Sequence, residues 1–267
     1  MLGSVVCRFE HFESDWYQRW APEICGERTP DQQRYHRKPW EFASVAQTLF
    51  ERGKLVEGMR GLGFAVGTEP MSSFFASRGI DVVATDLDAR AGIAKVWRRT
   101  GQHGDSRDDL LIPRLVDRER FDRHVRFEFA DMNGPWKWPE GSFDFIWSCC
   151  AFEHLGSLEN GLDFVRRSAR LLKPGGVAAH TTEYNVSSND RTVRRGGGVL
   201  YRRRDIEELD RRLRIDTRCL AEMDFRAGEH EYDRLYDLQP SNRHGRQHVK
   251  LLIDGYVSTS MLITVVN

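Results

Sequence analysis

Apolar positions recur at three- and four-residue intervals from Trp40 to Arg52, where Phe42, Val45, Ala46, Leu49 and Phe50 define one buried helix face. Upstream, residues 1 to about 55 mix aromatic and charged side chains and are punctuated by Pro22 and Pro30, which reads as an N-terminal helical cap. From Met59 the rhythm changes to alternating strand and helix. A strand runs to Val66, a helix follows from Pro70 to Ser77, a strand spans 80–86, and a helix is expected from about Ala89 to Arg99. Gly101 to Arg120 is polar and irregular, a loop with one short helix. Further strands are expected at His124 to Ala130, Phe143 to Cys150 and Val177 to Thr182, with a helix from Ser157 to Leu172 ended by Lys173-Pro174-Gly175-Gly176. Arg204 to Arg214 predicts a charged helix, Thr217 to Phe225 a strand, and Val249 to Val266 closing strands. The fold class is therefore α/β: a doubly wound, mostly parallel sheet with helices on both faces, residues 56–267, under the cap of 1–55. Ala227 to Gln247 lacks periodicity, and a stretch that long suits a substrate-side segment near 227–248.

Composition narrows the function. At 40% hydrophobic, 267 residues can bury one substantial core. Lys+Arg 40 against Asp+Glu 40 leaves no net charge to draw nucleic acid or an anionic membrane, so the expected partner is a small molecule. Cys7, Cys25, Cys149, Cys150 and Cys219 form no C-x-x-C pair and no even framework, which suits a reducing, cytoplasmic location. No run of apolar residues approaches a membrane span.

The chemistry begins at Gly63-Phe64-Ala65-Val66-Gly67, a glycine turn after a strand, followed by a second strand that ends in Asp86. Such a turn lets backbone approach a nucleotide, and a carboxylate there can accept ribose hydroxyls. Asp131-Met132 follows the third strand, Glu153-His154-Leu155 the fourth, and Leu171-Leu172-Lys173-Pro174-Gly175-Gly176 precedes the fifth. In this order the motifs resemble those of class I S-adenosylmethionine-dependent methyltransferases, over roughly residues 56 to 185. The resemblance implies a Rossmann-like fold and S-adenosyl-L-methionine as cofactor. It assigns the cofactor to Gly63, Ala65, Gly67, Asp86, Leu87, Asp131, Met132 and Cys149, with Lys38 and Trp40 reaching over from the cap; Trp40 also suits an ordinary core anchor. Two positions depart from the pattern: Ala65 replaces the middle glycine, and Gly61-Leu62 stands where an acid usually precedes the turn. Glu69 is the candidate substitute for that acid, to hold the methionine amino group; it also suits a helix start.

His154 is the first choice of general base, because an imidazole titrates near neutral pH, with Glu153 orienting it. Glu183, beside Tyr184, is a candidate to hold the acceptor. Cys150-x-x-Glu153-His154 permits metal ligation and is similar to the E-x-x-E-H loop of metal-requiring ubiquinone-pathway O-methyltransferases, but no metal is assigned. His230, Tyr232, Asp233, His244 and His248 suit a polar lid, and Trp136 and Trp138 suit an adenine wall or packing on the sheet. The expected activity is methyl transfer to a hydroxyl of a small polar metabolite, such as a sugar or glycan precursor, since the Asn/Asp-Pro-Pro-Tyr/Phe signature of many amino-group enzymes is missing. An N-methyltransferase of a small amine or amino sugar, a nicotinamide-dependent oxidoreductase and a catalytically silent cofactor-binding module remain alternatives.

Overall fold

The computed structural model describes residues 1–27, 35–88, 90, 101–238 and 248–267. The helix expected at Ala89 to Arg99, apart from Arg90, and His244 lie outside the described residues. Among them, β1 (Ser4–Val5) leads to α1 (Asp15–Cys25) and α2 (Arg37–Glu51). The α/β part then runs through β2 (Arg60–Gly63), α3 (Met71–Ala76), β3 (Asp81–Asp86), α4 (Arg118–His124), β4 (Val125–Phe129), β5 (Phe143–Cys149), α5 (Leu158–Ala169) and β6 (Leu172–Asn185). It closes with α6 (Arg203–Ile215), β7 (Cys219–Leu220), β8 (Met223–Asp224), α7 (Glu231–Arg234), β9 (Asp237–Leu238), β10 (Leu251–Ile253) and β11 (Tyr256–Val266).

The main sheet has the order β4-β3-β2-β5-β6-β11-β10-β9, with β7 on β11. From β4 to β6 every pairing is parallel, and β11 is antiparallel to β6. The chain leaves β2 toward β3 and β4, then returns to its other side as β5. That reversal opens a crevice at the carboxyl ends of the strands, where ligands of such sheets bind. The expected α/β class is therefore present.

Alternation along β5 sends Phe145, Trp147 and Cys149 to one core, shared with α1, α2 and α3, and Ile146 to the other, shared with α5 and α6. The glycines of β2 make room for these rings. A Cβ on Gly63 would stand 2.3 Å from the Trp147 indole, and one on Gly61 2.4 Å from the Phe145 ring. The side of Gly63 where a side chain would stand is filled by tryptophan. Gly63→Ala is accordingly expected to lower stability by about 1–3 kcal/mol through overpacking, read as a drop in thermal midpoint.

Helix α2 begins at Arg37, three residues before the apolar pattern, because the His36 ring accepts from the Lys38 N–H (3.0 Å) and Pro39 fits the first turn. The expected strand 217–225 divides into β7 and β8, and the latter pairs with β1. Lys173 to Gly176 does not separate helix from strand as expected; it lies within β6, where the register with β5 shifts between Phe143 and Phe145.

Candidate active site

The glycine turn is tied to both neighbouring strands: the Phe64 N–H donates to Trp147 O and the Val66 N–H to Thr85 O, each at 3.0 Å. Ala65 takes a left-handed conformation (φ 48°) in the place of the family's middle glycine, at a cost of about 1 kcal/mol. Asp86 ends β3 beside this turn and is buried. Its Oδ1 accepts from the Leu87 N–H (2.7 Å), and its Oδ2 from the N–H groups of Gly67 (3.1 Å) and Gly104 (3.0 Å).

Glu69 follows the turn and meets Lys38 from α2 at 3.0 Å. Its other oxygen, Oε2, is buried with no hydrogen-bond partner, and burial pushes its carboxyl up to about 7 against the pull of Lys38. The Lys38 ammonium also donates to Glu41 (3.0 Å) and to the carbonyl of Cys149 (3.2 Å). Burial favours the neutral amine, but Glu41 and Glu69 hold it well above the usual lysine range. Glu41 accepts further bonds from Ser260 Oγ (2.6 Å) and the Cys150 thiol (3.0 Å). Its carboxyl is held below the usual range: burial opposes ionisation, but Lys38 and Arg37 prevail.

Beyond Cys150, which also has a positive φ (49°), the chain makes a 3₁₀ turn over Phe152–His154 that carries Glu153 inward. Glu153 is fully buried; Oε2 accepts from the Thr182 hydroxyl (3.0 Å) and Oε1 has no hydrogen-bond partner. Burial raises its carboxyl to about 7, with His154 pulling down and Glu183 pushing up. Glu183 is held by Arg37 (2.5 Å) and Ser258 Oγ (3.1 Å). One ligand atom each of Cys150, Glu153 and Glu183 lies within 4.8 Å of the others. In this arrangement the thiol is donated to Glu41 and Glu183 is paired with Arg37.

Contacts thus run from Asp86 through the turn, Glu69 and Lys38 to Glu41 and the Cys150 thiol, and one carboxylate oxygen each of Glu153 and Glu183 lies within 4.8 Å of that thiol. Several expectations need correcting. The Nδ1 of His154 sits 2.6 Å from Gly197 O and its Nε2 4.0 Å from Glu153 Oε1, so the histidine packs on the Gly197 stretch while Glu153 faces inward. Trp40 is fully buried, stacked on His11 and donating to its Nδ1 at 3.1 Å, which makes it a core anchor and not a cofactor contact. Tyr184 lies on the opposite face of β6 from Glu183, stacked near Phe225. The exposed Asp131 accepts from the Asn133 N–H (2.8 Å), Met132 packs into the core, and the half-buried Trp136 packs on Phe64. His180 is fully buried against Ser148 Oγ at 2.8 Å. The polar late segment docks the N-terminus: His230 stacks on Phe9, and Asp233 binds the Phe9 N–H and Lys250, both at 2.9 Å. His248 pairs with Asp237 at 3.1 Å.

Sequence reasoning misses Ser258 and Ser260, which share one face of β11 opposite Glu183 and carry no local signal. It also assigns no role to Arg37 or Glu41, although both lie in the charged start of α2 with Lys38.

Residues 62–180 match the family model of a methyltransferase domain. No curated protein shows significant sequence similarity. Among solved structures, a magnesium protoporphyrin IX methyltransferase from Synechocystis with bound S-adenosylhomocysteine superposes with a TM-score of 0.53 at 12% identity, over 97% of each chain. An S-adenosylmethionine dependent methyltransferase from Mesorhizobium loti gives 0.50 at 13% identity, over 85% of this chain and 97% of that one. A phosphoethanolamine N-methyltransferase 2 from Haemonchus contortus, in complex with S-adenosyl-L-methionine, is 18% identical with a TM-score of 0.41; the match covers 66% of this chain and only 40% of that protein.

Proposed function

Since this chain is an enzyme with a class I S-adenosylmethionine-dependent methyltransferase domain, we propose that it methylates a hydroxyl of a small polar metabolite, of the sugar or glycan-precursor kind, with Glu153 as base. The observation that carries this reading is the orphaned Oε1 of Glu153, a buried acceptor at the carboxyl ends of β5 and β6. A buried acceptor without a donor costs about 1–3 kcal/mol, which a proton-bearing ligand group relieves.

The donor set fits the cofactor. S-adenosylmethionine brings an ammonium that Glu69 Oε2 lacks, a ribose suited to Asp86 beside the Gly67 turn, and an activated methyl group. Lys38 holds Glu69 in place, itself fixed by Glu41 and the Cys149 carbonyl. At the other end Glu153 would take the hydroxyl proton of an acceptor to which the bound cofactor would supply its methyl group. Thr182 steadies the spare oxygen of Glu153, and Arg37 with Ser258 keeps Glu183 oriented toward the acceptor.

A small amine is the second reading, favoured because carboxylates outnumber cations here: Glu41, Glu69, Glu153 and Glu183 face Arg37 and Lys38. The neutral overall charge supports a small-molecule partner over nucleic acid or membrane. Among the described residues no helix is long and apolar enough to cross a membrane, and five free cysteines accord with a cytoplasmic setting.

Label transfer from radioactive methyl donor into pools of polar alcohols and amines tests the reading; label found only in RNA or protein would overturn it. His154→Ala is expected to lower turnover by less than about tenfold, because the ring acts only through Glu153. A loss as large as that from removing the Glu153 carboxylate would return the base to His154.

A further inference from the structure

The carboxylate that should receive the ribose is already engaged. Besides Leu87 and Gly67, Asp86 binds the Gly104 N–H, and His103 Nδ1 lies 3.5 Å from its Oδ1. A carboxylate offers about four lone-pair sites, so three backbone donors and an imidazole leave little for a ribose diol. The segment that supplies the last two lies directly on the glycine turn. Thr68 Oγ1 donates to Gly101 O at 3.1 Å, and Gln102 O would stand 2.1 Å from a Cβ on Gly67. Gly104 is also pressed close: a Cβ there would stand 2.7 Å from Gly67 O. His103 is buried with this contact, its Nε2 without a hydrogen-bond partner and 3.4 Å from Asp105.

We propose that Gly101–Gly104 is an internal strap that occupies the ribose position and that the cofactor displaces it on binding. The inference rests on reading Asp86 as the ribose carboxylate. Opening the strap exchanges the Gly104 N–H and the His103 ring for the two ribose hydroxyls, so the carboxylate stays satisfied in both states. Cofactor affinity is then reduced by the fraction of molecules in which the strap is closed. Glycine at 104 sets that fraction, since only a residue without Cβ can lie so close to the Gly67 carbonyl.

Calorimetric titration with S-adenosylhomocysteine tests this on the full chain, with thermal melts confirming that each variant is folded. Gly104→Ala, whose methyl group disfavours the closed strap, is expected to bind roughly three- to tenfold more tightly, and His103→Ala to shift in the same direction. Hydrogen exchange at the Gly104 amide is expected to accelerate when the ligand binds. Unchanged or weaker binding by both variants, with the amide still protected in the complex, overturns the strap. If Asp86→Ala binds as tightly as the unsubstituted protein, the ribose assignment itself fails and the strap with it.

Discussion

Glu153→Gln is expected to lower kcat by about 10²–10⁴-fold, the usual contribution of a general base, while leaving S-adenosylhomocysteine affinity nearly intact. The amide keeps the size and the contact with Thr182 but cannot take a proton. Because burial holds the Glu153 carboxyl at about 7, kcat/KM of the unsubstituted enzyme should rise with pH through that value as the carboxylate forms, then level off. The variant's residual rate should lack this limb. Stability runs the other way. Glu153 and Glu69 both have folded values near 7, above the ordinary 4.5, so the folded state binds their protons more tightly than the unfolded chain. The stability this confers is fully present below about pH 4.5 and is lost as pH rises through 7, on the order of a few kcal/mol for each group. Glu153→Gln should remove one of the two contributions, and melts from pH 5 to 8 would read the difference as a shallower decline. A variant that keeps its rate and pH limb would exclude Glu153 as base.

Asp86→Ala is expected to weaken S-adenosylhomocysteine binding by about 10²–10³-fold and to lower the thermal midpoint. Two effects combine. The ribose loses charged hydrogen bonds, each with a contribution of about 1.5–3 kcal/mol, and the N–H groups of Leu87, Gly67 and Gly104 lose their common acceptor. Calorimetry on the folded variant separates these, since a purely structural role would lower the midpoint without changing affinity.

The elements that place the site were legible because each has a local cause. Strands 80–86 and 143–150 are short apolar runs, and the helix after the turn starts at a proline. Helix α1 was not legible: Tyr17, Trp20, Ala21 and Ile24 have helical spacing, but Pro22 sits among them and reads as a break. The helix tolerates it because tertiary burial of Trp20 and Ile24 outweighs the lost bond. At the site, adjacency limits what sequence can say. Glu153 and His154 are neighbours in one 3₁₀ turn, and only the direction of that turn decides which side chain enters the cleft. Glu183 and Tyr184 likewise read as a pair, yet strand alternation sends them to opposite faces. Ser258 and Ser260 join Glu183 and Glu41 through the register of β11 on β6, a contact between distant parts of the chain. In the charged string from His36 to Glu41, Glu41 is buried and Arg37 and Lys38 are half-buried, because α2 packs its first turn against the strand ends.

The central claim is that one adenosyl cofactor spans the line from Asp86 to Glu153. A crystal structure of the protein with S-adenosylhomocysteine tests it most directly. The account predicts ribose hydroxyls on Asp86, the amino group on Glu69 Oε2 and the sulfur facing Glu153 Oε1; an adenosine bound elsewhere, or a sulfur turned away from Glu153, would contradict it.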